Sequence, residues 1–136
     1  MGLDIFSSDE VKNFHIGYCG FTTMRGFFIL HYGKQLFDDY NNILRAAFSL
    51  SDEYEKMFDK LLNEIGDLKI LIDHSDCDGK LTVEECKKLK ECLFVDEDKI
   101  NSLAEDGDHT IMIRYMYEFI DLVDYAVENN VELIFG

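Results

Sequence analysis

The densest group of possible metal ligands in this sequence surrounds Gly79. His74, Cys77 and Cys86 follow a His-x2-Cys-x8-Cys spacing, and Cys86 falls where a helix should begin. Imidazole and thiolate are the usual ligands of zinc, and a helix start favours thiolate character. A closed zinc site needs a fourth ligand, for which His15 is our candidate because it lies in a distant, glycine-bounded aromatic segment. The pattern therefore predicts a zinc site.

The same stretch also resembles a calcium loop of the EF-hand type. With the glycine at the sharp turn, Asp76 and Asp78 fall on ligand positions and Glu85 falls on the closing bidentate position. The first position should be Asp, but it is His74, and imidazole is a poor ligand for calcium. The residues alone leave three interpretations open: a zinc site, a calcium site, and a metal-free turn capped by carboxylates.

Other histidines and cysteines complicate the zinc interpretation. Cys19 rivals His15 as the fourth ligand, because it lies four residues later in the same segment. An enzyme with Cys77 as nucleophile and His74 as base is conceivable. However, a thiolate bound to a metal is not free to attack a substrate. The sequence also contains no Gly-x-Ser-x-Gly, phosphate-binding glycine loop or His-Glu-x-x-His motif. We therefore expect a protein that is not an enzyme.

Local signals place the candidate loop between helices. Thr82 followed three residues later by Glu85 is a capping box, so a helix should begin there. Apolar residues spaced by three and four predict the other helices, which run from Thr22 or Thr23 to near Gly33, from Gln35 to about Phe48, from the cap Ser51, and from the cap Asp108 to Glu128.

The two ends of the chain alternate apolar and polar residues. Residues 2–6 and 131–135 therefore predict two short strands that pair with each other. At 136 residues, with 47% apolar residues and eleven Phe, the chain fits one domain over residues 1–136. The expected fold class is mainly α (α+β), with about five helices, a small two-stranded sheet formed by the chain termini, and a zinc-binding loop.

Charge is the second informative feature. The net charge is −15, and residues 1–50 hold five acidic against four basic side chains, so nearly all of the excess lies in the remainder. Such a chain repels nucleic acid phosphates and attracts basic proteins. One acidic segment could form a docking surface for a partner or a solvated helix and turn; its carboxylates include Asp96, Glu97, Asp98, Glu105 and Asp106.

The sequence also suggests a location. The opening residues lack the basic, apolar and cleavage-site succession of a signal peptide, and no run of eighteen apolar residues occurs. Without a sign of secretion, the four cysteines favour metal binding or burial over disulfides. We therefore expect a cytoplasmic protein of a bacterial host cell, with no membrane partner.

Several motifs are spread over most of the chain: Met-Gly-Leu-Asp-Ile at 1–5, His-Ile-Gly-Tyr at 15–18 followed by Phe21 and Arg25, His-Ser-Asp-Cys-Asp-Gly at 74–79, and Glu-Glu-Cys at 84–86. Together they resemble a family of small phage and mobile-element proteins. Within that setting, the acidity, size and predicted zinc are similar to those of a zinc-containing anti-CRISPR protein that inhibits the type II RNA-guided DNA nuclease.

This resemblance implies a function. The protein would bind a basic lobe of the CRISPR effector nuclease and stop target DNA from loading, without binding nucleic acid itself. His15, His74, Cys77 and Cys86 match the pattern in their placement only. Two other classes remain as alternatives: an EF-hand-like calcium-binding module and a metal-dependent hydrolase.

Overall fold

The computed structural model describes residues 2–46, 53–103 and 109–136. Four strands lie within these ranges: β1 (Gly2–Ser7), β2 (Asn13–Gly17), β3 (Lys80–Leu81) and β4 (Leu133–Phe135). Seven α-helices also lie within them: α1 (Tyr18–Leu30), α2 (Lys34–Ala46), α3 (Glu53–Glu64), α4 (Lys69–Ile72), α5 (Val83–Lys90), α6 (Glu97–Ser102) and α7 (Thr110–Asn129).

The strands form one antiparallel sheet in the order β2-β1-β4-β3. One face is apolar because alternate residues of a strand point to the same side. Leu3 and Ile5 of β1, Phe14 of β2, and Leu133 and Phe135 of β4 are all buried on this face. The sheet therefore brings the two ends of the chain and the start of α5 into a single layer.

The helices cover the apolar face of the sheet. α7 contacts β2, α1 and α5, and α1 in turn contacts α2 and β1. α7 buries Ile113, Met116, Phe119, Val123 and Ala126, which recur at helical spacing and lie on one side. It ends at Asn129, and the next residue, Asn130, has a left-handed φ of 53°, a helix-terminating conformation that Asn tolerates. This end agrees with the sequence prediction.

The expected fold class is wrong in three respects. The described residues contain seven helices instead of about five, and the sheet has four strands instead of two. β1 and β4 do pair, but β2 and β3 extend the sheet on either side of them. The third error concerns the expected zinc-binding loop: the described ranges hold no group of three or more His, Cys, Asp or Glu side chains that could bind an ion.

Some helix starts also differ from the prediction. α1 begins at Tyr18, and the hydroxyls of Thr22 and Thr23 donate to the carbonyls of Tyr18 and Cys19 from inside the helix, so neither threonine is an N-cap. The predicted caps Ser51 and Asp108 lie outside the described residues. No helix in the described ranges has the length and apolarity needed to cross a membrane.

Candidate functional site

The candidate loop connects α4 to β3 and α5. Gly79 has a φ of 94°, a left-handed conformation that side chains rarely adopt, and this turn directs the chain into β3. The predicted capping box is confirmed: Thr82 Oγ1 accepts from the Glu85 backbone N–H at 3.2 Å, and Glu85 Oε1 accepts from the Thr82 backbone N–H at 3.0 Å. The loop is thus fixed at its helical end by local hydrogen bonds.

His74 lies inside the loop. Its Nδ1 is 2.7 Å from the Ser75 carbonyl oxygen, and its Nε2 is 3.0 Å from the Lys80 carbonyl oxygen. The ring also packs against Phe135, with the two ring centroids 4.1 Å apart. Both ring nitrogens therefore lie close to backbone carbonyl oxygens, and the Lys80 carbonyl is on the opposite side of the loop.

Arg25 binds the backbone where the loop begins, after α4. Its guanidinium donates to the Ile72 carbonyl at 3.2 Å and to the His74 carbonyl at 2.8 Å, and it lies over the Phe21 ring at 4.1 Å. Burial lowers the pKa of Arg25, and the carboxylates of Asp73 and Asp76 partly oppose this effect. This role of Arg25 was not predicted, although a single arginine within an apolar helix was an available signal.

The two cysteines of the predicted zinc set lie in different environments. Cys77 is exposed, with its Sγ 3.4 Å from Ser75 Oγ, whereas Cys86 is completely buried on the inner face of α5. Burial raises the pKa of the Cys86 thiol to about 12, so it stays protonated at neutral pH. This is the opposite of the thiolate character that a helix start was expected to give.

His15 lies far from the loop. It is on β2, at the opposite edge of the sheet from β3, and adjacent strands are about 4.8 Å apart, so the two edge strands are separated by about 14 Å. Its Nδ1 is 2.8 Å from Asp4 Oδ1 on the exposed face of the sheet. The structure thus does not bring His15, His74, Cys77 and Cys86 together. Zinc binding by the protein stays a prediction.

The residues of the calcium alternative are only partly grouped. Asp76 and Asp78 are exposed in the loop, while Glu85 is partly buried and engaged in the capping box. The Lys80 carbonyl, which corresponds to the backbone ligand of an EF-hand, faces His74.

A second candidate site lies at the start of α6. A surface cavity of about 380 Å³, called here the acidic cavity, is lined by His31, Phe94, Val95, Asp96, Glu97 and Asp98. Phe94 is 47% exposed and stacks on His31, with ring centroids 4.5 Å apart and an interplanar angle of 26°.

The carboxylates of the acidic cavity have defined positions. Asp96 caps α6 by accepting from the Lys99 backbone N–H at 3.1 Å, and Glu97 accepts from the Tyr117 hydroxyl at 3.3 Å. Glu97 and Asp98 are exposed, and Lys99 is the basic side chain that contacts Asp96. Glu105 and Asp106, the other members of the predicted docking surface, lie outside the described residues. The cavity combines negative charge with exposed aromatic surface.

Comparisons with known proteins returned no match: no family model, curated protein or solved structure is significantly similar to this chain.

Proposed function

We propose that this protein acts by binding a basic protein partner and that the acidic cavity is the centre of its docking surface. The observation that carries the proposal is the position of Asp96, Glu97 and Asp98 around the exposed ring of Phe94, on a chain with a net charge of −15. Carboxylates attract Lys and Arg over long range, and an exposed aromatic ring gives contact area and a cation–π face. The surface is thus suited to a basic partner.

The partner class follows from the same chemistry. Proteins with strongly basic grooves are commonly those that bind nucleic acid, and an acidic protein in such a groove competes with phosphate. The motif resemblance supports a specific partner, the type II CRISPR effector nuclease. The protein would then be an anti-CRISPR inhibitor of a bacterial host cell that blocks target DNA loading and catalyses no reaction.

The direct test uses the nuclease loaded with guide RNA. We expect the protein to be retained on the immobilised nuclease, to prevent target DNA binding and cleavage, and to bind less tightly as salt concentration rises. If the nuclease binds and cuts target DNA normally with this protein in excess, the inhibitor proposal fails.

Variants separate the docking surface from the general effect of charge. The triple variant Asp96→Asn, Glu97→Lys, Asp98→Lys keeps a capping residue on α6 and should lower affinity by about tenfold or more. The matched control makes the same charge change on the exposed residues of α3, as Glu55→Lys, Asp59→Lys and Glu64→Gln. Equal losses in the two variants would show that net charge, and not the acidic cavity, determines binding.

A further inference from the structure

We infer that residues 74–85 form an EF-hand-type loop in which the His74 imidazole takes the place of the cation. In a calcium loop, the carbonyl at the seventh position and side chains at the first, third, fifth and twelfth positions converge on the ion. Here the carbonyl at the seventh position belongs to Lys80, and it lies 3.0 Å from His74 Nε2. The ring nitrogen lies on the side of this oxygen from which a cation would bind.

The backbone of the loop supports this assignment. Gly79, at the sixth position, adopts the left-handed φ of 94° that the sharp turn of such loops requires. Leu81, at the eighth position, is completely buried and lies in β3, which pairs with β4. Glu85, at the twelfth position, lies in the first turn of α5, as the closing ligand of a calcium loop does.

The imidazole fills space inside the turn. A Cβ atom built on Gly79 would lie 3.5 Å from both Cε1 and Nε2 of His74, so a side chain at this position would touch the ring. Phe135 packs against the ring, and Arg25 holds the His74 carbonyl. Phe135 therefore positions the ring, while Arg25 positions the backbone of the same residue.

The hydrogen bonds explain how such a loop can close without a metal. An unpaired carbonyl inside a tight loop needs a cation, a water or a donor. In the inferred arrangement the His74 ring carries a proton on Nε2, which donates to the Lys80 carbonyl, while Glu85 satisfies the Thr82 N–H instead of binding an ion. His74→Asp should then remove the donor, supply a carboxylate at the first position beside Asp76 and Asp78, and create a calcium site.

The experiment compares the native chain with His74→Asp. Thermal melting and titration calorimetry are measured with Ca²⁺, with Zn²⁺ and with a chelator. In contrast to the zinc site expected from the sequence, this inference predicts that neither ion changes the melting temperature of the native protein. Ca²⁺ should raise that of His74→Asp by several degrees. The double variant His74→Asp, Asp78→Ala is the matched control: it removes the ligand at the fifth position, and it should lose most of this response.

A second measurement does not depend on the folding of a variant. The ¹⁵N chemical shift of His74 Nε2 in the native protein should be that of a protonated ring nitrogen and should not change when Ca²⁺ is added. Any of three results would overturn the inference: a deprotonated Nε2, a native loop that binds either ion, or a folded His74→Asp variant whose melting temperature does not respond to Ca²⁺. None of these results depends on partner binding at the acidic cavity.

Discussion

At the residue scale, burial decides what each cysteine can do. Cys19 and Cys77 are exposed, whereas Cys86 and Cys92 are buried. Residue type and spacing suggested that Cys77 and Cys86 act together. The structure places one on the surface and the other in the core, because the apolar face of α5 must bury Cys86 beside Leu89. A spacing rule cannot show this, since it does not say which way each side chain points.

Cys86 makes the stability of the protein sensitive to alkali. Its pKa is about 12 in the folded protein, above that of the exposed thiol in the unfolded chain. A raised pKa means that folding favours the protonated form, so this contribution is complete below about pH 8.5 and is lost as pH rises towards 12. We expect the free energy of unfolding to fall over this range in denaturant titrations.

Two comparisons check the role of this thiol. The Cys86→Ala variant should show a smaller decline with pH, while a residual decline above pH 10 remains because burial also raises the pKa of Tyr40 to about 12. In the native protein at pH 8, an alkylating reagent should modify Cys19 and Cys77 and leave Cys86 unmodified. Rapid alkylation of Cys86 in the folded chain would contradict its burial.

At the element scale, the capping box sets where α5 begins. Thr82→Ala removes the hydroxyl that accepts from the Glu85 N–H, and loss of such a cap costs about 1 kcal/mol. Thr23→Ala is the control, because that hydroxyl is exposed and caps no helix start, so a change within about 0.5 kcal/mol is expected. Urea unfolding of both variants measures the difference. Equal stabilities would mean that tertiary contacts alone fix α5.

Local signals of this kind were the predictable part of the fold. Thr82 with Glu85 marked a helix start correctly because a capping box involves only residues close in sequence. β2 was not predicted as a strand, because Gly17 and the nearby Gly20 obscured the alternation of Phe14 and Ile16. β3 has two residues and owes its existence to β4, which lies more than fifty residues away. Long-range pairing of this kind leaves little trace in a short stretch of sequence.

At the scale of the whole molecule, the predicted zinc set depends on how the sheet orders the chain. The strand order β2-β1-β4-β3 places His15 and the loop of His74 at opposite edges, and for this reason the predicted four-residue zinc set does not assemble. Residue types could be read from the sequence, but their grouping follows from this topology. The acidic cavity is different, because five of its six lining residues are consecutive, from Phe94 to Asp98. Charge and sequence proximity made that site partly predictable.

The last strand should hold the whole domain together. β4 pairs with both β1 and β3, and it buries Leu133 and Phe135. Phe135 contacts Phe21 of α1 as well as His74 of the loop, with centroid distances of 6.2 Å and 4.1 Å. Deleting residues 133–136 removes these contacts and leaves β1 and β3 without their shared neighbour. We expect the truncated chain to lack cooperative thermal unfolding.

Point variants test the same contribution without removing backbone. Phe135→Ala should lower the free energy of unfolding by about 3–5 kcal/mol, the usual cost of removing a buried aromatic ring. Ile134→Thr is the control, because this partly buried residue lies on the opposite face of the same strand and Thr keeps the β-branched shape. Two results would show that the helices fold independently of the sheet. One is a truncated chain that melts at the native temperature, and the other is a Phe135→Ala variant as stable as Ile134→Thr.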